Sequence, residues 1–268
     1  MRQSLPQSLL GDIAAAFMLL SRIPVFYQFD DKSPPNFTLA QWAFPVVGLV
    51  LGAGGGIVLA AASLVLPPLA CGALCVGVMA VTSGAMHEDG LGDMADGFGG
   101  GHTPADKIKI MHDSHIGAYG VLCLCITTIT RIALFAAIIE AGLAFGTIIG
   151  LVAIIAGGAR AQIPLILRFY PIAKGAKLAM LTGKPAALTI MLGWLIWLVP
   201  LGLILPPVYA IMAGLLSALV SLFIARLAVR QIGGLNGDVM GAMIIMAEIV
   251  ITATIYASPI SSILLGTL

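Results

Sequence analysis

The chain has 268 residues, of which 60% are hydrophobic and 9% charged, with a formal net charge of +1 and a mean hydropathy of +1.08. Soluble domains carry about a quarter charged residues, so this composition excludes a soluble globular protein and describes an integral membrane one. A net charge near zero also supplies no polyanion-binding surface, which argues against nucleic acid as a partner.

The N-terminal stretch over residues 7–29 has apolar positions at helical spacing, Leu9, Leu10, Ile13, Phe17 and Leu20, interrupted by Asp12 and Arg22. This pattern predicts a helix lying in the membrane interface rather than a span or a cleavable signal. Residues 30–36, with Asp30, Asp31, Lys32, Pro34 and Pro35, read as a loop. A spanning helix needs about 20 apolar residues, and seven stretches qualify: 39–66, 69–86, 118–141, 147–167, 187–205, 208–231 and 239–257. The fold class is therefore all-α, a polytopic helix bundle of about seven spans in one membrane domain over 1–268, with 1–36 as interfacial helix and loop. Pro45 and the glycines from Gly52 to Gly56 predict a kink or a close helix contact in the first span.

Connections alternate between short uncharged turns (67–68, 142–146, 206–207) and charged segments (87–117, 168–186, 231–238). The segment 168–186 carries Arg168, Lys174, Lys177 and Lys184 and no acid. The positive-inside rule then places the charged connections in the cytoplasm and the protein in the cell (inner) membrane. Cys71, Cys75, Cys123 and Cys125 lie in apolar runs without a CxxC spacing and read as small buried hydrophobes.

Residues 87–120 hold six of the 12 acidic residues and all four histidines. Asp89, Asp93 and Asp96 are spaced i, i+4, i+7, which sets three carboxylates within about 60° on one helix face. Three such groups repel unless a cation lies among them. All-oxygen donors suit Mg²⁺, one or two ions, with Mn²⁺ as the second choice. Mg²⁺ binds through few carboxylates plus substrate phosphates, so the spacing points to a phosphorylated substrate. The plainer reading is a solvated acidic helix end. Glu88 points about 100° away from Asp89 and reads as a group supporting the site from behind or as a bystander.

Gly97, Gly99, Gly100 and Gly101 form either a phosphate-approaching backbone or a plain turn. Thr103, Pro104 and Asp106 have the pattern of a capped helix start. Asp113 is a fourth ligand or base, or a helix cap. Asp238 is open in the same way. Arg131 and Glu248, each inside a span, form a structural pair or line a cavity, and Arg160 near a span end reads as a snorkelling residue. The patch Arg168, Tyr170, Lys174 and Lys177 is topological charge or a site for nucleotide phosphates.

The run His87-Glu88-Asp89-Gly90-Leu91-Gly92-Asp93-Met94-Ala95-Asp96-Gly97 resembles the H-x-D-G-L-x-D-x-x-D-G signature of the cobalamin synthase (cobalamin-5′-phosphate synthase) family. Gly100 to Pro104, Ile110-Met111, Asp113-Ser114, Ile116-Gly117 and Gly120 continue the likeness. So do Phe17, Ser21-Arg22 and Pro24-Val25 upstream, and Gly233-Gly234, Gly237-Asp238 and Gly241-Ala242 downstream. His112 and His115 stand where the family has basic residues, and Asn236 where Thr is common. The resemblance implies a Mg²⁺-dependent transferase that joins adenosylcobinamide-GDP to α-ribazole, or α-ribazole 5′-phosphate, with release of GMP. It implies Asp89, Asp93, Asp96 and Asp113 as catalytic and metal residues. Arg22, His87, Ser114, Arg168 and Asp238 are expected to bind substrate. The lipid bilayer is the other expected partner, and the sequence leaves a homo-oligomer open.

Two other readings have sequence features to weigh. Asp93-Met94-Ala95-Asp96-Gly97 matches the opening of the CDP-alcohol phosphotransferase motif, but Gly100 and Gly101 replace its Ala-Arg element and the later aspartates are missing. A cation or organic-ion transporter would place acids near the bilayer midplane in repeated halves; these acids sit at a span end, and no repeat is evident.

Overall fold

The computed structural model describes residues 8–30 and 34–259, apart from the side chains of 177–179. The loop residues Asp31 and Lys32, the side chain of Lys177 and the C-terminal residues 260–268 lie outside the described residues. Eleven α-helices follow in order among those described: α1 Leu9–Leu20, α2 Phe44–Ala62, α3 Pro68–Ser83, α4 Met86–Gly100, α5 Pro104–Met111, α6 Ala118–Glu140, α7 Phe145–Phe169, α8 Lys177–Thr182, α9 Ala187–Ile204, α10 Pro207–Ile232 and α11 Gly237–Tyr256. A 3-10 turn, Leu39–Ala43, leads into α2. No strand forms among the described residues, only one isolated bridge between Ile172 and Leu235.

Six helices are long and apolar enough to cross a membrane: Leu39–Ala62, α6, α7, α9, α10 and α11. The expected span over 69–86 differs. The helix α3 ends at Gly84, which takes a left-handed φ of 71°, and Ala85 follows at φ 53°. The chain then turns by 91° into α4. At about 1.5 Å per residue, the 16 residues of α3 reach about 24 Å, short of the ~30 Å hydrocarbon core. The stretch expected as one span is thus two short helices joined at an elbow, and the acidic helix α4 leaves the line of α3 instead of continuing it.

The three charged connections meet at one end of the bundle, as their alternation requires. Ala173 donates its N–H to Leu235 O at 2.8 Å, and Leu235 donates to Pro171 O at 2.9 Å. The first turns of α4 and α11 touch: a Cβ on Gly90 would lie 2.7 Å from Asp238 Cα, and one on Gly241 3.1 Å from His87 Cα. At these two positions the missing side chain lets the helix backbones approach.

The N-terminal helix is shorter than its periodicity suggested. Asp12 is buried and accepts a 2.9 Å hydrogen bond from Trp42 Nε1, while Leu9 and Leu10 are about 70% exposed. Where the solvent is lipid, the polar residue turns inward to a partner and the leucines turn out. At the centre of the bundle α7 buries Leu151, Val152, Ile155, Ala156 and Ala159. The expected close contact in the first span is present here: Gly48 and Gly52 of α2 lie directly against the backbone of α7 around Ala153 and Ala156, with no room for a Cβ.

Gly54 on the same helix faces open space, with nothing within 4 Å of a Cβ. Gly48→Ala should therefore lower stability by about 1–3 kcal/mol through overpacking. Gly54→Ala should raise it by roughly 0.5–1 kcal/mol, the helix-propensity gain. Melting of the two variants in the same detergent checks both signs.

Candidate active site

The helix α4 forms although it contains five glycines among Gly90, Gly92, Gly97, Gly99 and Gly100. Tertiary contacts account for this. A Cβ on Gly97 would strike Met111, and one on Gly99 would lie 2.6 Å from the Tyr119 ring. The glycine run is thus helical and allows close packing; it is neither a turn nor a phosphate-approaching loop. Lys107 Nζ closes the C-terminal end by donating to Gly101 O at 2.7 Å and Phe98 O at 3.3 Å. The capping box of α5, Thr103 with Asp106, forms as its sequence pattern predicted.

The faces of α4 serve different purposes. On its inward side, Glu88 accepts a 2.7 Å hydrogen bond from Arg131 Nη1, and Glu248 accepts one of 2.7 Å from Arg131 Nε. The guanidinium is 3% exposed and Glu248 2%. The expected Arg131–Glu248 pair is therefore a triad, and Glu88 is a member of it. Arg160 does not snorkel: it is 2% exposed, donates to Ala156 O at 3.0 Å and leaves Nε without a partner. The sequence signal for this cluster was a pair of opposite charges deep inside two spans, Arg131 and Glu248; the third member is Glu88. His87, also on the inward side, is 4% exposed with Nε2 unpartnered. Burial, then the charges of Arg160 and Arg131, hold its imidazole well below the ordinary pKa.

The outer face carries the three aspartates, aligned as the spacing predicted but unequal in role. Asp96 is 7% exposed and accepts from Gly117 N at 2.7 Å and Gly120 N at 2.9 Å, so both its oxygens satisfy N–H groups at the start of α6. Asp89 is exposed and Asp93 half-buried. These two line a cleft of about 400 Å³ together with His112, Asp113 and Ser114. Burial, and then the neighbouring Asp89, Asp238 and Asp96, push the Asp93 carboxyl from its ordinary 3.8 up to about 7.

Asp113 is exposed and accepts from His115 N at 3.0 Å and from the His115 ring at 2.8 Å. These bonds hold its carboxyl below the usual range. Asp238 does not cap α11: Asn236 does, accepting from Val239 N at 3.0 Å. That leaves the Asp238 carboxylate half-buried beside α4, with Asn236 Nδ2 donating to it at 2.8 Å. Asp238 and Asp89 both line a second, apolar cavity of about 180 Å³ on the other side of α4.

Two expected substrate-binding residues line neither cavity. Arg22 is exposed and lays its side chain over Gly84 at the α3–α4 elbow, while its N–H donates to Thr82 O at 2.9 Å. Arg168 is exposed and donates from Nη1 to Pro185 O at 2.8 Å, tying the end of α7 to the loop before α9.

Asp93 is surrounded by carboxylates, and hard oxygen donors in that arrangement suit a divalent cation. Among the described residues no three His, Cys, Asp or Glu side chains converge into a ready-made cage. Such a partial donor set fits Mg²⁺, which keeps several waters and takes its remaining ligands from substrate phosphates.

Oxygen donors clustered beside a cleft at one end of a polytopic helix bundle define a class of integral membrane protein with a polar, acidic site. Within that class, the family described as cobalamin-5-phosphate synthase matches residues 12–256, and the chain belongs to this family. Among its relatives, the adenosylcobinamide-GDP ribazoletransferase of Bradyrhizobium diazoefficiens is 39% identical over 250 residues, covering 91% of this chain and 93% of the relative. The proteins of the same name from Azorhizobium caulinodans and Brucella ovis are 36% and 37% identical, covering 94% and 87% of this chain and 98% and 92% of theirs. No solved structure matches.

The different surroundings of the aspartates predict opposite stability effects. Asp96→Ala should destabilise the protein by about 1–3 kcal/mol, because two N–H groups lose their acceptor. Asp93→Asn in cation-free buffer should leave the melting temperature unchanged or raise it. The pH dependence has a defined sign. Folded Asp93 holds its proton more tightly than the unfolded chain does, so its contribution to stability is lost as pH rises from about 4 to about 7. The melting-temperature difference, Asp93→Asn minus wild type, should grow over that interval and level off above it.

Proposed function

We propose that this protein joins adenosylcobinamide-GDP to α-ribazole, or its 5′-phosphate, releasing GMP, at a site on the cytoplasmic face of the inner membrane. The observation that supports this most is Asp93 among Asp89, Asp238 and Asp96, beside a polar cleft and an apolar cavity in a chain of this family.

The reaction needs a phosphoanhydride to break and a ribose hydroxyl to attack the cobinamide-side phosphorus. One P–O bond forms, the bond to GMP breaks, and the hydroxyl proton must find a base. Mg²⁺, held by Asp89 and Asp93 with Asp113 across the cleft, would neutralise the diphosphate and the GMP leaving group. Mn²⁺ would suit the same oxygens. Asp96 supports this arrangement indirectly, by fixing the start of α6 against α4. The hydrogen bonds from His115 keep Asp113 ionised, which suits a cation-facing role better than proton acceptance. Asp238 lies at the edge of the apolar cavity and is the carboxylate placed to receive the hydroxyl proton. Ser114 and His112 complete the cleft wall as hydrogen-bonding groups for phosphate oxygens.

The cytoplasmic orientation follows from the excess of Lys and Arg in 168–186, a connection that shares one end of the bundle with α4. The CDP-alcohol reading lacks its Ala-Arg element. The transporter reading is opposed by the position of the acids at a helix elbow on the rim, away from the bundle centre.

Purified protein with Mg²⁺, adenosylcobinamide-GDP and α-ribazole should yield GMP and a cobamide in equal amounts, and a CDP-linked lipid alcohol should not replace the donor. Asp93→Ala should lower turnover by about a hundredfold or more, with the variant still folded. Chelation should stop the reaction and Mg²⁺ restore it. The apparent Mg²⁺ affinity should rise as pH passes through about 7, because the cation competes with the Asp93 proton. Transfer without any divalent cation, or full activity of Asp93→Ala, would contradict the assignment.

A further inference from the structure

The helix α10 has two faces that differ along its whole length. Ala210, Ser217, Ser221 and Ala228 are buried against the bundle. Each residue of a helix turns about 100°, so the opposite face carries Met212, Leu215, Leu219, Phe223, Arg226 and Arg230, all of them exposed. Because α10 is long and apolar enough to cross a membrane, this face meets lipid. The stripe is apolar for four steps and then becomes two arginines. Both lie within the last two turns of α10, at the end of the bundle where the charged connections meet.

Other cations of the chain are held by the protein. Arg131 binds two glutamates, Lys107 binds two carbonyl oxygens and Arg168 binds Pro185 O. Among the described residues, Arg226 and Arg230 have neither an ion pair nor a hydrogen bond from the side chain, and α10 contains no acid. Arg230, in the last turn, complements the negative end of the helix dipole; Arg226, a turn earlier, is beyond the reach of that effect. Neither residue lines the polar cleft or the apolar cavity, so neither faces the candidate active site.

The dimensions of the stripe match a phospholipid. Residues four apart are neighbours on a helix surface, about 6 Å apart along the axis. Two guanidinium forks at that spacing suit the non-bridging oxygens of a phosphodiester. Phe223 stands 11 residues after Met212, which is about 16 Å of helix and close to half of the ~30 Å hydrocarbon core, the share of one leaflet. With no carboxylate beside the arginines to receive a choline or ethanolamine, a headgroup of net negative charge is the better complement. We infer that this face of α10 is a binding site for one anionic phospholipid, with its phosphate between Arg226 and Arg230 and its acyl chains along Phe223, Leu219 and Leu215. The helix continues through 233–236 to Asp238, and Leu235 in that connection is bonded to Pro171 and Ala173. Lipid on the arginines therefore fastens the end of α10 from which the Asp238 turn departs.

Melting of the detergent-purified protein during lipid titration tests this without reference to catalysis. Phosphatidylglycerol should raise the melting temperature more than phosphatidylcholine does, and soluble glycerol phosphate should leave it unchanged. An arginine near an anionic surface strengthens association roughly fivefold, so the double variant Arg226→Gln, Arg230→Gln should bind phosphatidylglycerol about thirtyfold more weakly. The double variant Lys174→Gln, Lys184→Gln removes the same charge from the connection 168–186 and should keep the wild-type affinity. With wild type alone, native mass spectrometry from an equimolar mixture of the two lipids should show one phosphatidylglycerol retained in preference to phosphatidylcholine. Equal retention of the two lipids, an arginine variant that binds as wild type does, or a lysine variant that loses as much affinity would overturn the site. A shift reproduced by glycerol phosphate would overturn the lipid as its occupant.

Discussion

The arrangement depends on one buried ionic contact. Arg131 sits in the apolar interior and binds Glu248 of α11 through Nε and Glu88 of α4 through Nη1, each at 2.7 Å. A guanidinium in this setting is costly unless its partners are close and well aligned. A planar fork with donors on two edges meets that need with two carboxylates from different helices. Removing Arg131 would leave two carboxylates from different helices without their shared partner, so the contact holds α4, α6 and α11 in a single register. Glu88 directly precedes Asp89, and the contact that holds one directs the other outward.

From that anchor the remaining geometry follows by exclusion of space. Gly90 and Gly241 remove the side chains that would hold α4 away from α11. Asp96 then fastens the far end of α4 to the first turn of α6 through two N–H groups. Between the two fastenings, Asp93 is held near Asp89 and Asp238. The raised Asp93 carboxyl is the counterpart of a well-fixed helix: a looser α4 would let the acids move apart and relieve their crowding. The elbow at Gly84 and Ala85 turns the acidic helix α4 by 91° from the line of α3.

The division of labour among similar residues shows where reading the chain alone reaches its limit. The i, i+4, i+7 spacing correctly put Asp89, Asp93 and Asp96 on one face, because helical periodicity is local. It could not distinguish Asp96, because the N–H groups it accepts from belong to Gly117 and Gly120, more than 20 residues away. The role of Glu88 stayed open between support and bystander for the same reason: its partner lies 43 residues further on. Arg160 near a span end suggested a snorkelling side chain, whereas the surrounding helices enclose it. Asn236, rather than Asp238, caps α11, and that exchange leaves the Asp238 carboxylate beside α4.

The amino-acid sequence by itself determined the membrane class, the helical architecture, the alternation of charged and uncharged connections and the family, since each rests on composition, period or an ordered motif along the chain. Only the tertiary structure decided which carboxylates face a cleft, which satisfy buried donors and which balance an arginine. It alone formed the apolar cavity, whose walls come from helices far apart in the chain. The physical reason is common to all of these: a carboxylate's role is set by the charges and N–H groups within a few ångströms of it, and here most of those neighbours are brought close by packing between helices and not by proximity in sequence.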